Sequence, residues 1–356
     1  MKKLIVLLCI ACMAGIGFAA GSVEASSSSG FTYKQLIEYP APKPILRQAK
    51  METLKYKEGK VPVVALMPAA TEFPYIMAVC AGFQKNAEKM GMETFILAPQ
   101  SGSDINGQMG MLQDVIAQNI DAIVINTHDE NAAAPLLKRA VEKGIMVVNY
   151  NSDSIDFPAP IHAVVGYTQR SGNVKQAKWM LEKYKGMDIK LGIIEGLPGY
   201  HSTERVGGFV DGIDNASNVK IIASLSGNWN TEGGNIAAMD LLQAHPEINV
   251  FYAANDMEAM GAIQAIQALG RKDILIFAND GNTEYLEEIA RGRATATLNT
   301  QPFIMGQIAA QVVADGFAGK FPGGFAESPS IVAHEENIIE LLRDEDKLLP
   351  KPSKKY

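Results

Sequence analysis

Short apolar runs and segments of helical spacing alternate along most of this chain. Val61-Pro-Val-Val-Ala-Leu-Met67 is an apolar run, and Tyr75 to Met90 places its apolar residues at helical intervals. Residues 93–98 then predict a strand, 104–118 a helix with Ser103 or Asp104 as N-cap, 122–126 a strand, 132–143 a helix and 145–149 a strand. The alternation restarts with a strand at 189–194. It continues with strands at 220–225, 249–252 and 274–278, and with helices at about 203–217, 231–244, 257–269 and 283–291. Strands alternating with helices imply parallel sheets, and unbroken apolar strands suit sheets covered on both faces. The pattern runs twice, with a break over 150–188. It therefore predicts an α/β chain of two similar lobes, each a parallel sheet with helices on both faces. A barrel of eight strand–helix units has no such mid-chain reset.

The flanks read differently. Lys2 and Lys3 precede an unbroken apolar run from Leu4 to Ala14, and small residues follow up to Ala25. That order is a secretory signal over residues 1–25, too short to span a bilayer comfortably, with cleavage after Ala25 or alternatively near Ala19. A lipid anchor would use Cys12, but Cys9-Ile10-Ala11-Cys12 lacks the usual leucine three residues before the cysteine. Ser26 to Ser29 reads as a flexible linker. Residues 31–58 hold Pro40, Pro42 and Pro44 and then a stretch, Ile45 to Tyr56, able to form a helix. They form an N-terminal extension that either covers the outside of the first lobe or stays mobile. Residues 346–356 form a tail, and the basic, proline-containing segment Pro350 to Tyr356 is expected to fray.

Composition narrows the function. The 356 residues are 47% hydrophobic and 20% charged, enough apolar material for two cores. The net charge of −7 argues against a nucleic-acid binder held by phosphate contacts. Cleavage after Ala25 would remove Lys2, Lys3 and Glu24, turning 32 basic and 39 acidic residues into 30 and 38, a net of −8. It would also leave Cys80 alone, so no intrachain disulfide could form in an oxidising, periplasmic or extracellular compartment.

Ligands of open parallel sheets bind beyond the carboxyl ends of the strands. The loops there offer Phe73 and Tyr75, then His128, then Asn151 and Asp153. In the second half they offer Gly196-Leu-Pro-Gly199, His201, Arg205, Trp229, Asn255, Asp280, Thr300 and Gln301. Amides, carboxylates, one guanidinium and a few aromatic rings suit a small neutral polyhydroxyl ligand. Planar groups pair with neighbouring hydroxyls, and rings cover C–H faces. No Gly-x-Ser-x-Gly elbow, metal-spaced His/Cys cluster or phosphate-loop signature is present, so no catalytic residue, metal or cofactor is called for. The five histidines are scattered singly and read as surface or loop residues. Each candidate also has a plainer reading. Arg205 could pair with Glu204 or Asp211, Trp229 could be core, Asn255-Asp256 could be only an N-cap, Asp280-Gly281-Asn282 only a turn, and Gly196-Leu-Pro-Gly199 only a tight connection.

Several segments together resemble a known family. These are Phe73-Pro-Tyr-Ile-Met-Ala-Val-Cys-Ala-Gly82, Asn151-Ser-Asp153, Gly196 to Phe209 with Arg205 inside it, Ala253-Ala-Asn255-Asp-Met-Glu-Ala-Met-Gly261, Ala278-Asn-Asp280-Gly and Pro302-Phe-Ile-Met-Gly306. Residues 61–342 resemble the periplasmic sugar-binding proteins of the ribose-binding type, the solute receptors of ABC importers. The resemblance implies a type I periplasmic binding fold, two doubly wound lobes joined by a three-strand hinge. Residues 59–165 with 302–328 would form one lobe and 166–301 with 329–345 the other, with crossings near 165–168, 299–302 and 329–333. It implies ligand contacts at Phe73, Tyr75, Asn151, Asp153, Arg205, Trp229, Asn255 and Asp280, with Thr300 and Gln301 at the crossover. The family's aspartate–arginine step is Asn151-Ser152 here, and its glutamine before the crossover proline is Thr300, which puts ribose itself in doubt. The implied partners are a sugar-like small molecule and the membrane permease of an ABC importer, with the chain a monomer that binds no nucleic acid. The same fold also serves periplasmic sensors that signal to chemoreceptors or sensor kinases. A sugar-responsive repressor would need a helix-turn-helix headpiece longer than residues 31–58.

Overall fold

The computed structural model describes residues 30–57 and 59–356; the signal segment, its cleavage sites, Cys12 and the serine linker lie outside them. Following the chain, the first stretch runs β1 (Val63–Met67), α1 (Pro74–Lys89), β2 (Glu93–Ile96), α2 (Ile105–Ala117), β3 (Ala122–Ile125), α3 (Glu130–Glu142), β4 (Met146–Tyr150) and β5 (Ala163–Gly166). The second runs α4 (Gln169–Lys183), β6 (Ile189–Glu195), α5 (Tyr200–Gly212), β7 (Val219–Ser226), α6 (Thr231–Ala244), β8 (Val250–Ala253), α7 (Asp256–Ala268), β9 (Leu275–Asp280), α8 (Thr283–Ala290) and β10 (Ala296–Asn299). The chain then returns as α9 (Pro302–Phe317) and β11 (Gly324–Glu327), and ends with β12 (Ile331–His334) and α10 (Ile338–Arg343).

Two six-stranded sheets result, in the orders β11-β5-β4-β3-β1-β2 and β12-β10-β9-β8-β6-β7. Every pairing is parallel except β10 with β12, so the second sheet carries one antiparallel edge that the alternation of elements does not announce. The chain passes between sheets after Gly166, after Asn299 and after Glu327. Ser103 plays no capping part: Asp104 caps α2, accepting from Gly107 N at 2.9 Å.

The break over 150–188 is not a linker. It contains β5 and α4. The inward face of α4 carries Gln169, Asn173 and Gln176 beside Gly172, Ala177 and Met180, so its apolar period is broken. Asn173 is satisfied inside the lobe, while Gln176 is bonded through Nε2 and its buried Oε1 has no partner among the described residues. Asn173 Nδ2 donates to Asn279 Oδ1 at 3.0 Å, Tyr252 donates to Asn173 Oδ1 at 2.9 Å, and Gln176 Nε2 donates to the Ala278 carbonyl at 2.8 Å. A buried polar group with its partners in place stabilises one arrangement without any hydrophobic pattern.

The extension is not a helix beyond one turn, Met51–Thr53. Tertiary bonds override the local propensity: Leu46 N donates to Ile155 O at 2.7 Å, Ala49 N donates to Ile161 O at 2.8 Å, and Lys43 bridges Phe325 beside β11. Ile45 and Ala49 are buried, Tyr39 donates to Asp315 at 2.6 Å, and Leu36 N donates to Gln311 at 2.8 Å. Of the two alternatives for this segment, it covers the outside of the first lobe. The tail is not frayed either: Ser353 N donates to Glu287 at 2.9 Å, Tyr356 donates to the same carboxylate at 3.1 Å, and Arg343 Nε donates to the Tyr356 carbonyl at 3.1 Å.

Helices α1 and α9 set the start of the cleft loops, and they meet through glycines. A Cβ on Gly82 would sit 1.9 Å from Phe303 O, and one on Gly306 would sit 1.9 Å from Val79 O. Backbone meets backbone, so no side chain can rotate away. Gly82→Ala is expected to lower unfolding stability by about 3 kcal/mol, as overpacking does in a close-packed interior. Denaturant unfolding measures this; an unshifted midpoint would mean that the two helices slide apart freely.

Candidate functional site

The carboxyl ends of both sheets face one cleft. From the first lobe Phe73, Tyr75 and Ile76 enter it at the start of α1, Asn126 and His128 follow β3, and Asn151 follows β4. From the second lobe His201 and Arg205 come from α5, Trp229 from the β7–α6 loop, Asn255 and Met257 from the start of α7, and Asp280 from the end of β9. This inner chamber has a volume of about 60 Å³.

Arg205 is its electrostatic centre. It is buried, donates through Nη1 to Asp280 Oδ1 and to Ala254 O, both at 3.0 Å, and through Nε to Gln169 Oε1 at 3.2 Å. Its guanidinium lies 5.3 Å from the centre of the Trp229 ring, within cation–π range. Burial works against its charge, but Tyr167, Asp280, Tyr75 and Tyr252 outweigh burial and hold the group above the ordinary arginine range. Asp280 is pushed up to about 6 by burial, with Arg205 as the main opposing influence. One cation and one carboxylate therefore satisfy each other and leave the chamber close to neutral.

Behind this pair runs a link between the lobes. Tyr75 donates to Asn151 Oδ1 at 3.0 Å and lies 2.7 Å from Thr300 Oγ1, and Thr300 donates to the Asp280 carbonyl at 3.0 Å. Thr300 thus braces the cleft from behind without lining it. Asp153 also stays off the wall. It accepts from Gln169 N and Nε2, both at 2.9 Å, and from the Tyr200 hydroxyl at 3.1 Å, tying the β4–β5 loop to the second lobe. Gln301 lies in a separate hollow with Pro302 and Ile331, where its left-handed backbone (φ 50°) opens α9. A ligand contact at Gln301 does not fit this placement.

The remaining seven candidates line the chamber, and their backbones explain why sequence alone leaves each ambiguous. Asn255 is indeed an N-cap: its Oδ1 accepts from Glu258 N at 2.8 Å in a full capping box. The same amide donates to Trp229 O at 3.1 Å and still faces the cleft. Trp229 adopts φ 63° and Asn228 φ 54°, conformations costly for residues with a side chain. The Trp229 N–H is held by the buried Glu258, 2.8 Å away. Its ring lies over Gly196, where a Cβ would stand 2.1 Å from the indole, so the glycine makes the seat. Gly102 does the same for Phe73 and His128, whose rings a Cβ would meet at 2.6 and 2.8 Å. Asn151 and Asp280 also have positive φ, 58° and 147°.

Ile76, Asn126, His128, His201 and Met257 complete the wall. His128 is an exposed loop residue, as expected for a single histidine, yet its ring borders the cleft; His201, part-buried on α5, departs from that expectation. His128 Nδ1 is 3.0 Å from the Gly102 carbonyl and His201 Nδ1 is 3.1 Å from Gln169 Oε1. Both partners only accept, so each Nδ1 carries the proton and each Nε2 is left as an acceptor. Burial lowers both rings, His201 to about 3 with help from Arg205 and His128, so both are neutral at neutral pH. The helical spacing of His201 and Arg205 places them on one face of α5 and could have marked the histidine. Among the described residues no cluster of His, Cys, Asp and Glu suits a metal ion, and no helix is long and apolar enough to cross a membrane.

Comparison with known proteins gives consistent matches. A periplasmic binding protein domain model matches residues 64–320. The ribose import binding protein of Bacillus subtilis is 30% identical over 258 residues, which cover 72% of this chain and 82% of that protein. The D-allose-binding periplasmic protein of Escherichia coli is 27% identical over 250 residues, 68% of this chain and 80% of that protein. An ABC transporter periplasmic solute binding protein from Actinobacillus succinogenes, solved with bound D-allose, superposes with a TM-score of 0.74 at 24% identity and covers 78% of this chain and 99% of its own. That likeness speaks for the fold.

Proposed function

Because the chain belongs to the periplasmic binding protein family, we propose that its cleft captures a neutral sugar ring and that the closed protein delivers it to the membrane permease of an ABC importer. The observation that carries this is the self-neutralised Arg205–Asp280 pair set among amides and ring faces from both lobes. A charged ligand would need an unmatched counter-charge there. A neutral polyol needs planar donors and acceptors for paired hydroxyls, which Arg205, Asp280, Asn151 and Asn255 supply. It also needs acceptors such as the two His Nε2 atoms, and apolar faces such as Phe73 and Trp229. We assign these residues as ligand contacts, Thr300 and Asp153 as braces, and no catalytic role to any of them. The exported, periplasmic location and the monomeric state belong to the same reading.

The working cycle is a hinged clamp. Three crossings connect the lobes, and a ligand that touches both favours closure by its greater affinity for the closed form. Micromolar affinity corresponds to roughly 8 kcal/mol. Thermal unfolding of the protein with pentoses, hexoses, polyols, furanosyl compounds and sugar phosphates tests the reading. At saturation one neutral sugar is expected to raise the melting temperature by about 5 °C, and the phosphates by none. No stabilisation by any neutral polyol, or stabilisation only by phosphate esters, would refute it.

A further inference from the structure

The cleft does not end at the inner chamber. It opens into an outer one of about 550 Å³, against about 60 Å³ inside, and His128, His201 and Trp229 line both. A single ring held at Arg205, Asn151 and Asn255 leaves the outer chamber without an occupant. Its walls are not bland. Ser103, Glu130 and Asn131 come from the first lobe, and Leu197, Pro198 and Tyr200 from the second. Leu197 and Tyr200, three residues apart on one wall, are 41% and 37% exposed and turn two large apolar surfaces to the chamber. Opposite them Glu130, half-buried at the start of α3, makes no hydrogen bond or ion pair among the described residues, and burial lifts its carboxyl to about 7. Polar groups on one wall and apolar faces on the other match a sugar-like ring, with hydroxyls at its edge and C–H groups on its face. The only formally charged side chains lining the outer chamber are Asp129 and Glu130, which disfavours phosphate or carboxylate.

We propose that the ligand is a neutral glycoside, with one ring in the inner chamber and a second ring-sized group, a further sugar or an aglycone, between the 197–200 loop and the start of α3. The proposal rests on the carbohydrate reading of the inner chamber. Because both lobes line the outer chamber, the second group adds contacts that exist only when the lobes meet, so it raises affinity through closure.

Titration calorimetry compares the best-binding free monosaccharide with its methyl and phenyl glycosides, its neutral disaccharides and its phosphate ester. At least one glycoside is expected to bind about tenfold tighter than the free sugar. Asn131→Trp and Leu197→Trp, each at an exposed position, fill the outer chamber. Each is expected to weaken that glycoside about tenfold and leave the free sugar within about twofold, since the altered side chains are separate from the inner contacts. A free sugar that binds as tightly as all its glycosides overturns the proposal while the carbohydrate reading stands. So do tryptophan variants that leave glycoside affinity unchanged or weaken both ligands alike. If neither free sugars nor glycosides bind, the carbohydrate reading fails and this proposal with it.

Discussion

Arg205→Ala is expected to weaken sugar binding by about a hundredfold or more and, separately, to destabilise the empty protein by about 3–5 kcal/mol. The two losses have different causes. Binding falls because the guanidinium is the chamber's one strong paired donor and sits over Trp229. Stability falls because Asp280, buried beside it, loses its ion pair, and because Ala254 O and Gln169 Oε1 each lose a donor. A double variant separates them. In Arg205→Met/Asp280→Leu no buried charge is left alone, and replacing a buried pair with apolar residues of similar size is often neutral. Stability should largely return while binding does not. Calorimetry and thermal melts of the three proteins give the answer. Parental affinity in Arg205→Ala, or binding restored by the double variant, would remove Arg205 from the site.

How far the sequence reaches is set by what kind of force holds each element. Strands β1, β3, β4, β8 and β9 are buried on both faces, so their apolar runs mark them without help. Helix α4 combines Ala177 and Met180 with buried amides bonded to amides and carbonyls, so its hydrophobic period is too broken to mark it. The 45–56 segment has helical composition, yet its N–H groups find partners on the first lobe, which no local rule foresees. The site follows the same division. Phe73, Tyr75, Asn151, Arg205, Trp229, Asn255 and Asp280 face the cleft from beyond strand ends, whereas Asp153 and Thr300 bond behind it although they follow patterned strands. Gln301 lies in a separate hollow, where its left-handed φ opens α9 just before Pro302. His128 needed Gly102, far away in sequence, to give it room, and single histidines carry no spacing signal of their own.

The lobes are coupled through polar contacts and through Leu298 of β10, which joins the apolar core of the first lobe. Asp153 holds Gln169 and Tyr200 across the cleft. At the hinge Glu327 accepts from Thr168 Oγ1 at 3.3 Å, while Lys43 of the extension pairs with the same carboxylate at 2.7 Å. Surface pairs of this kind contribute little energy each. The free Cys80 is buried within the first lobe and cannot clasp the two together.

Glu258 provides the second large effect, although no part of its role requires it to touch the ligand. Its Oε1 accepts from Trp229 N at 2.8 Å and its Oε2 accepts from Asn255 N at 3.2 Å, so one buried carboxylate fixes two neighbouring cleft residues. Burial pushes this carboxyl up, and the two N–H groups pull the other way. Glutamine keeps the shape but offers one acceptor and presents an NH₂ group to the other N–H. Glu258→Gln should therefore cost about 1–3 kcal/mol, the penalty of a buried donor left unsatisfied, and Glu258→Ala about 3–5 kcal/mol with the capping box also lost. Trp229 is strained at φ 63°, and without its tether the indole should leave its seat over Gly196. Affinity should then fall about tenfold even in Glu258→Gln, since base-stacking-like ring contacts are worth about 1–3 kcal/mol only when the ring is in place. The chain has two tryptophans, so a Trp179→Phe background leaves Trp229 as the sole reporter. Red-shifted emission and weaker binding in Glu258→Gln, with the fold intact by circular dichroism, would identify Glu258 as the residue that positions the stacking wall. Lower stability with unchanged emission and unchanged affinity would reduce it to a helix cap.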